Sequence, residues 1–496
     1  MPKTAVTGSL LALPLTREGA MPLYRQAFEA LREAILSGRL PGGTRLPSTR
    51  AMACDFGLSR NTVLQVFELL RDEGLVEART GAGTFVAGPC PPLRATAAAS
   101  LADQPPRSLS QRGRGLVASA TGEVSERPTP FMPDMPDLRA FPIRTWLRLL
   151  NETSGRLTGQ ILVEASNAGY APLRQAIARH LGGARGMACT PAQVVVTTGS
   201  QQGLDLVCRM LLDPGDAVWI EEPGYVGARS VVAGNGGLVC PVPVDGAGMQ
   251  VEAGLARHPP PRLVLVSPAR HYPLGGRLAE ARRSQLVEIA RSAGGWILED
   301  DYDHEFSGLA RPALFAEDPG RRTITMGTFS KILLPSFRLG YLVVPADLAP
   351  AFARARAVVD RHASLIEQMV LAEFMERGLF ASHVRRMRAL YAARGARLAA
   401  DLGAMFGPGP WAETPLGTHL VLPFRTGAGD RALAREMAAS GLVTRPLSPY
   451  YAGETPREGL LLGFSAFDDD ERALGLRRLA RFRDSIAARL ERAPRP

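Results

Sequence analysis

Lysine is almost absent from this chain of 496 residues. Only Lys3 and Lys331 occur among 58 basic residues, and arginine supplies all the others. Arginine keeps its proton and cannot act as an amine nucleophile, whereas a desolvated lysine can lose its proton and form a Schiff base. Lys3 lies close to the N-terminus, so amine chemistry inside a folded domain would fall to Lys331. Alone, Lys331 would be interpreted as an ordinary surface lysine, and only its sequence context reverses that interpretation.

Long hydrophobic runs and paired cysteines are missing as well. The apolar stretch 9–15 is too short to cross a bilayer and is not followed by a signal-peptide cleavage pattern. The five cysteines are odd in number and have no metal-ligand spacing. We therefore expect no membrane association, no metal site and reduced cysteines in a cytoplasmic protein.

Length and charge set the broad class of the protein. A chain of this length is too long to fold around a single hydrophobic core, so two or more domains are expected. A composition of 46% hydrophobic and 21% charged residues is typical of globular domains. The net charge of +10 favours polyanionic partners, with nucleic acid first. Arginine-rich composition also arises in GC-rich genomes, so the charge permits a DNA-binding domain without requiring one.

One stretch divides the chain by its composition. Residues 89–129 are rich in proline, alanine, serine, glycine and arginine and show no apolar periodicity. Such a segment does not bury enough surface to fold by itself, so it predicts a flexible linker. It separates an N-terminal domain, 1–88, from a larger domain, 130–490.

The N-terminal domain has the pattern of three helices and a hairpin. Apolar residues recur at helical spacing in two segments, Tyr24, Phe28, Leu31 and Ile35, and then Val63, Val66, Phe67 and Leu70. Ser48 and Ser59 are suited to cap the second and third helices. The apolar runs 75–78 and 84–87 flank a glycine-containing turn, which predicts a β-hairpin. Together these elements predict a winged helix-turn-helix.

Residues suited to reading DNA cluster at the start of the third helix. Arginine can contact guanine through two hydrogen bonds, asparagine suits adenine, and serine or threonine hydroxyls suit phosphates. A solvated polar cap on a structural helix is the alternative. The residues predicted to contact DNA are Arg50, Ser59, Arg60, Asn61, Thr62 and, in the turn of the wing, Gly81.

The combined pattern of residues 20–88 resembles the GntR family of bacterial regulators. The matching segments are 22–24, 38–40, 45–50, 59–63 and 81–86. The resemblance implies that the six residues named above contact an operator in double-stranded DNA.

After the linker, short apolar runs alternate with helical patterns. The strand candidates are 194–196, 217–220, 263–266, 296–298 and 323–326. This alternation predicts an α/β domain with a largely parallel sheet, whose ligands bind at the carboxyl ends of the strands. Two later runs, 420–422 and 460–462, predict a smaller α+β subdomain.

Residues that could serve pyridoxal 5'-phosphate follow these strands. Asp300 could keep the pyridine nitrogen protonated, Tyr302 could bond the ring oxygen beside the imine, and Tyr225 could stack on the ring. The cofactor phosphate could be bound by Arg338, Thr328, Ser330, Ser200 and Gln201. Each residue has an ordinary structural alternative, but their order and their placement on these elements favour one site around Lys331.

The arrangement resembles fold type I pyridoxal-phosphate enzymes of the aminotransferase class. Further matching segments are 131–146, 169–174 and 383–388. A GntR reader joined to such a domain resembles the MocR-type regulators. That resemblance implies a homodimer, an operator of two parts, and an effector that is pyridoxal phosphate itself or an amine bound as an aldimine.

The chain departs from the aminotransferase pattern where substrate would bind. The Asn-Pro-Thr-Gly turn is replaced by Tyr272-Pro273-Leu274-Gly275, and the preceding Ser-His-Gln of MocR relatives by Ala269-Arg270-His271. The arginine that binds a substrate carboxylate is matched by Leu461, and Arg445 or Arg457 could replace it. We therefore expect a sensor rather than an enzyme. A working aminotransferase with a DNA-binding domain, and a regulator with a vestigial pocket, are the alternatives.

Overall fold

The structure, a computed structural model, describes residues 21–88, 108–118, 128–157, 166–307, 311–318, 321–412, 416–453 and 456–491. The chain divides into two compact units, Met1–Ser108 and Leu109–Pro496. No helix in the described part of the chain is long and apolar enough to span a membrane.

The first unit is the predicted winged helix-turn-helix. Its elements are α1 (Leu23–Leu36), α2 (Thr49–Asp55), α3 (Arg60–Asp72), β1 (Val76–Arg79) and β2 (Gly83–Val86). The apolar faces of the three helices pack into one core with Val76 and Val86. Ser48 and Ser59 cap α2 and α3 by accepting hydrogen bonds from the backbone N–H groups of Ala51 and Thr62, as the sequence predicts. The strands β1 and β2 form an antiparallel hairpin.

The second unit is an α/β domain built on an eight-stranded sheet in the order β3-β10-β9-β8-β7-β4-β5-β6. Its strands are β3 (Val194–Thr197), β4 (Ala217–Glu222), β5 (Leu238–Asp245), β6 (Gly248–Met249), β7 (Leu263–Val266), β8 (Trp296–Asp301), β9 (Thr323–Thr328) and β10 (Gly340–Val343). The central pairs β9-β8-β7-β4-β5 are parallel, whereas β10 is antiparallel to both of its neighbours. Every strand candidate read from the sequence lies on one of these strands.

Helices cover the sheet, and a small second sheet follows. The helices of this unit are α4 (Gln111–Ala118), α5 (Ile143–Ser154), α6 (Ala171–Arg185), α7 (Ser200–Leu211), α8 (Val226–Gly234), α9 (Val251–Arg257), α10 (Glu280–Ser292), α11 (Leu314–Glu317), α12 (Ala349–Val359), α13 (Leu365–Glu376), α14 (Leu379–Phe406), α15 (Asp430–Ala439), α16 (Asp469–Ala480) and α17 (Arg483–Ala487). The strands β11 (His419–Phe424), β12 (Arg445–Pro446) and β13 (Glu458–Gly463) form an antiparallel sheet in the order β11-β13-β12.

Part of the predicted linker is helical. Helix α4 lies within the segment 89–129, where the sequence shows no apolar periodicity, and it packs against α8. A methyl group on Gly234 of α8 would lie 3.2 Å from Leu116 Cδ2, so the glycine lets the two helices approach closely. Tertiary contact therefore stabilises a helix that eight residues with two glycines would not form alone. The rest of the predicted linker, 89–107 and 119–127, lies outside the described residues.

Candidate functional site

The residues predicted to bind a cofactor gather where the strands of the large sheet end. Asp300 lies near the end of β8, Lys331 follows β9, and Ser200 begins α7 directly after β3. Tyr225 follows β4 and precedes α8. Because carboxyl ends of parallel strands share one edge of a sheet, the topology places them around a common region.

Lys331 points toward a segment that the site predictions did not include. Its Nζ donates a hydrogen bond to the backbone carbonyl of Asp134 at 3.1 Å and lies 3.5 Å from Asp134 Oδ1. The Lys331 side chain is one-quarter exposed, and that of Asp134 is buried. Although burial acts to raise the pKa of Asp134, the charges of Lys331 and Arg445 hold that pKa well below its usual range.

Asp300 is a buried carboxylate with one unpaired oxygen. Its Oδ1 has no hydrogen-bond partner among the described residues. Burial, together with the neighbouring Asp301 and Asp303 carboxylates, raises the pKa of Asp300 to about 7. A buried acceptor in this state is stabilised by any ligand that brings a hydrogen-bond donor or positive charge.

Three of the predicted phosphate-binding residues, Ser200, Gln201 and Arg338, lie at the N-terminus of α7. Gly199 precedes the helix with φ 99°, and a methyl group placed there would lie 3.1 Å from Arg338 Nη2. The absence of a side chain thus lets the Arg338 guanidinium reach the helix terminus, where backbone N–H groups favour an anion. Thr328 Oγ1 accepts a hydrogen bond from the Ser330 backbone N–H at 3.2 Å, which joins these two residues in one turn.

Gln201 and the predicted stacking tyrosine are linked. The Tyr225 hydroxyl donates to Gln201 Oε1 at 2.9 Å, and Gln201 Nε2 donates to the Gly227 carbonyl at 3.2 Å. Tyr225 is 39% exposed.

The altered turn places Tyr272 at the centre of an aromatic cluster. The Tyr272 hydroxyl donates to Asp134 Oδ2 at 2.8 Å and lies 3.0 Å from the Tyr450 hydroxyl. The centroid of its ring lies 5.7 Å from that of Tyr302 and 6.3 Å from that of Tyr225. Where the aminotransferase pattern has an amide, this chain therefore has a phenol that binds Asp134.

Arg270 belongs to the site but was noted in the sequence only as a departure. Its Nη1 donates to the Tyr302 hydroxyl and to Asp303 Oδ2, both at 3.0 Å, and its Nη2 donates to the His419 carbonyl. The Tyr302 hydroxyl is consequently oriented by a buried cation. Neither Arg270 nor Asp134 stands out by residue type, because only the fold brings Arg270 to Tyr302 and Asp134 to Lys331.

Of the two arginines considered for carboxylate binding, Arg445 lies at the site. In the small sheet, Arg445 on β12 is directly opposite Leu461 on β13, so the two side chains share one face. Arg445 Nη1 donates to Asp134 Oδ2 at 2.5 Å. Arg457 instead pairs with Glu491 at 3.1 Å on an exposed surface.

The predicted DNA contacts are exposed on the first unit. Arg50, Arg60, Asn61 and Gly81 are exposed, and Thr62 is half-buried. The Ser59 and Thr62 hydroxyls lie 2.8 Å apart, so Ser59 combines capping with its predicted role. Arg45, which the sequence predictions did not include, lies beside the wing, with its Nε 3.1 Å from the position of a Gly83 Cβ.

Comparison with known proteins assigns both units. The model of bacterial regulatory proteins of the gntR family matches residues 23–86, and that of aminotransferase class I and II matches 137–461. The α-aminoadipate aminotransferase LysN from Thermus thermophilus, solved with N-(5'-phosphopyridoxyl)-L-leucine, is 27% identical with a TM-score of 0.65 and covers 76% of this chain and 96% of its own. Fold and site together define a helix-turn-helix protein with an aminotransferase-like domain.

Relatives that match over nearly the whole chain identify the subfamily. The probable rhizopine catabolism regulatory protein MocR of Rhizobium meliloti is 39% identical over 461 residues, which cover 92% of either chain. The transcriptional regulator TauR of Rhodobacter capsulatus is 32% identical and covers 93% of this chain and 97% of its own. The chain belongs to the MocR-type subfamily of GntR regulators and is a helix-turn-helix transcriptional regulator.

Proposed function

We propose that the large unit binds pyridoxal 5'-phosphate at Lys331 and uses it to sense an amine or the cofactor itself. Ligand binding would then change the affinity of the protein for its operator. Coupling of this kind requires a ligand that binds two states of the protein with different affinity.

The observation that supports the cofactor most directly is the buried, unpartnered carboxylate of Asp300. A pyridinium nitrogen would supply the missing donor and a positive charge, which lowers the pKa of Asp300 from its raised value of about 7. At the other end of the site, Gly199, the start of α7 and Arg338 offer a place for a phosphate. The residues present therefore fit pyridoxal phosphate.

The remaining side chains have distinct roles in this proposal. The cofactor supplies an aldehyde for an amine and a ring that withdraws electrons. Lys331 provides the amine, Tyr302 donates to the ring oxygen while Arg270 orients its hydroxyl, and Tyr225 covers one ring face. The phosphate would be bound by Arg338 with Ser200, Gln201, Thr328 and Ser330.

A sensor fits the site better than a turnover enzyme. Leu461 is fully buried among Tyr272, Tyr302 and Tyr450 and has no polar atom for a substrate carboxylate. Arg445, on the same face, is already paired with Asp134. An amino acid would thus lack the fixed orientation that efficient proton transfer requires.

The first unit would read DNA through α3 and the wing. Arg50, Arg60 and Asn61 are exposed there, Ser59 caps the helix at the Thr62 N–H, and Gly81 lies in the hairpin turn. We propose a homodimer that presents two such units to an operator of two half-sites. Sedimentation of the purified protein with and without a two-site duplex tests this assembly.

The experiment that tests the function is an absorption titration of the purified full-length protein with pyridoxal phosphate and then with amines. A visible band should appear in the wild type and be absent in Lys331→Ala, whereas Arg457→Ala, a change at an exposed residue paired with Glu491, should keep it. An amine that shifts the band and changes operator affinity identifies the effector class.

Two results would contradict the proposal. Rapid conversion to pyridoxamine phosphate, reversed by a keto acid, would make the protein an aminotransferase. Unchanged ligand-dependent operator binding in Lys331→Ala would show that the cofactor pocket has no part in regulation.

A further inference from the structure

The Asp134 carboxylate occupies the region beside the reactive amine where a ligand's substituents would lie. Its backbone carbonyl accepts a hydrogen bond from Lys331, and its Oδ1 is 3.5 Å from Lys331 Nζ. It is 92% buried, and Oδ1 has no hydrogen-bond partner among the residues that the structure describes. An acceptor in this state lowers the free energy of any complex that supplies a donor.

The Asp134 backbone shows that the carboxylate is set in place at a conformational cost. Asp134 has φ 69°, a left-handed conformation that glycine adopts freely and that aspartate tolerates better than most residues. Three contacts hold it there: the Arg445 ion pair at 2.5 Å, the Tyr272 hydroxyl at 2.8 Å and the Lys331 amine.

The same contacts remove the site's capacity for a second carboxylate. Arg445 is the cation on the face where Leu461 stands, and Asp134 neutralises it. A ligand carboxylate at Arg445 would compete with Asp134 for the guanidinium or lie next to the Asp134 anion, and both effects oppose binding.

The surroundings of Asp134 offer contacts to hydroxyl groups instead. The Tyr272 and Tyr450 hydroxyls lie 3.0 Å apart beside Asp134, and the Tyr225 and Tyr302 rings pack around Tyr272. Phenol hydroxyls both donate and accept hydrogen bonds, and aromatic faces attract a cationic amine as it enters.

We infer that the effector is a hydroxylated amine without a carboxylate, and that Asp134 selects it by accepting a hydrogen bond from a ligand hydroxyl while it neutralises Arg445. This inference rests on the proposed function and names the ligand class of the same site. Asp134 is a specificity-determining residue here and takes no part in binding the cofactor.

Matched ligand pairs test the inference. Serinol and serine share one skeleton, with a hydroxymethyl group in the first where the second has a carboxylate, and ethanolamine and glycine form a second pair. We expect calorimetry on the cofactor-loaded full-length protein to give a dissociation constant at least ten-fold lower for the alcohol in at least one pair. Equal or tighter binding of the acids, or no binding of either alcohol, would overturn the inference.

Two variants of Asp134 make the test specific. Asp134→Gly suits the backbone conformation and frees Arg445, so it should reverse the preference, with serine bound at least ten-fold more tightly than in the wild type. Asp134→Asn keeps the shape without the charge and should reduce the preference for serinol. An unchanged preference in both variants would assign the selectivity to other residues.

The cofactor spectrum separates this failure from a failure of the proposed function. Both Asp134 variants should still give the visible band that Lys331→Ala loses. If the wild type forms no band, the proposed function fails. If the band forms and serine binds better than serinol, only the ligand class is wrong.

Discussion

At the scale of single residues, the site combines buried carboxylates with partly exposed cations. Lys331 and Arg445 form ion pairs with Asp134, but Asp134 Oδ1 and Asp300 Oδ1 are both buried acceptors without a hydrogen-bond partner among the described residues. An unsatisfied buried carboxylate destabilises the folded protein by about 1–3 kcal/mol, and a ligand that supplies the donor recovers that free energy. We therefore expect the free energy of unfolding to be lower without the ligand than with it.

Replacement of Asp300 tests this expectation. Asp300→Asn removes the buried charge, so we expect the cofactor-free protein to unfold at a higher temperature than the wild type. The same change should weaken pyridoxal phosphate binding by at least ten-fold, because the ring nitrogen loses its ionic partner. Thermal unfolding with and without cofactor measures both effects. A variant with lower stability and undiminished cofactor affinity would contradict the assigned role.

Sequence motifs predicted the residues of the site whose chemistry is distinctive. Lys331, Asp300 and Arg338 are predicted because an amine, a carboxylate and a guanidinium in this order are suited to pyridoxal phosphate. Asp134 and Arg270 were missed because a lone aspartate and one arginine among many have no such signal. The choice between Arg445 and Arg457 depended on β12 lying opposite Leu461, and strand pairing of that kind is a tertiary property.

At the scale of elements, the helical and strand patterns predicted both folds, and α4 is the exception. The eight residues of α4 include Gly113 and Gly115 and so have little helical propensity. The helix forms because it packs against α8. The docked helix lies beside residues of the proposed phosphate site, since Arg112 and Leu116 line a cavity of about 470 Å³ together with Gln201 and Arg338.

We expect α4 to couple the cofactor site to the DNA-binding unit. Leu116→Ser should loosen the contact with Gly234 and reduce the ligand-dependent change in operator affinity, while the cofactor spectrum stays as in the wild type. Val117→Ser is the matched control, because Val117 is 66% exposed on the same helix. Fluorescence anisotropy with labelled operator measures the change. Equal effects of the two variants would remove α4 from the coupling.

Helix α3 allows DNA contact and helix stability to be separated. Arg60 is exposed, so Arg60→Ala should weaken operator binding by about ten-fold or more and leave the unfolding temperature unchanged. Ser59→Ala removes the cap on Thr62 N–H and should destabilise the helix by about 1 kcal/mol. Operator titrations and thermal unfolding on both variants distinguish the roles. Loss of stability in Arg60→Ala would make it a structural residue.

At the scale of the whole molecule, buried ionisable groups make stability depend on pH. Burial acts to lower the pKa of His304, but the Asp301 and Glu305 carboxylates outweigh it and raise that pKa to about 9. Burial raises the pKa of Glu221 to about 8. Each group binds its proton more tightly in the folded state, so stability falls as pH rises through these values.

The contribution of His304 can be tested by comparing the stability of a His304 variant with that of the wild type at several pH values. The stabilisation from protonated His304 should be complete below pH 6.5, the ordinary pKa of histidine, and should disappear as pH rises through about 9. His304→Gln should therefore be less stable than the wild type at pH 6 and approach it at pH 10. The exposed His362→Gln serves as control. Denaturant unfolding across this range measures the difference, and a constant gap would exclude titration of His304.

The position of Asp134 in the chain has a consequence for domain order. Only residues 119–127 separate α4 from the described segment that begins at 128 and leads to Asp134. The proposed ligand-selecting carboxylate thus lies close in sequence to the segment that joins the large unit to the DNA-binding unit, and we expect coupling between the two activities to depend on that connection. A circular permutant with the reader moved to the C-terminus should retain both binding activities and lose their dependence on each other.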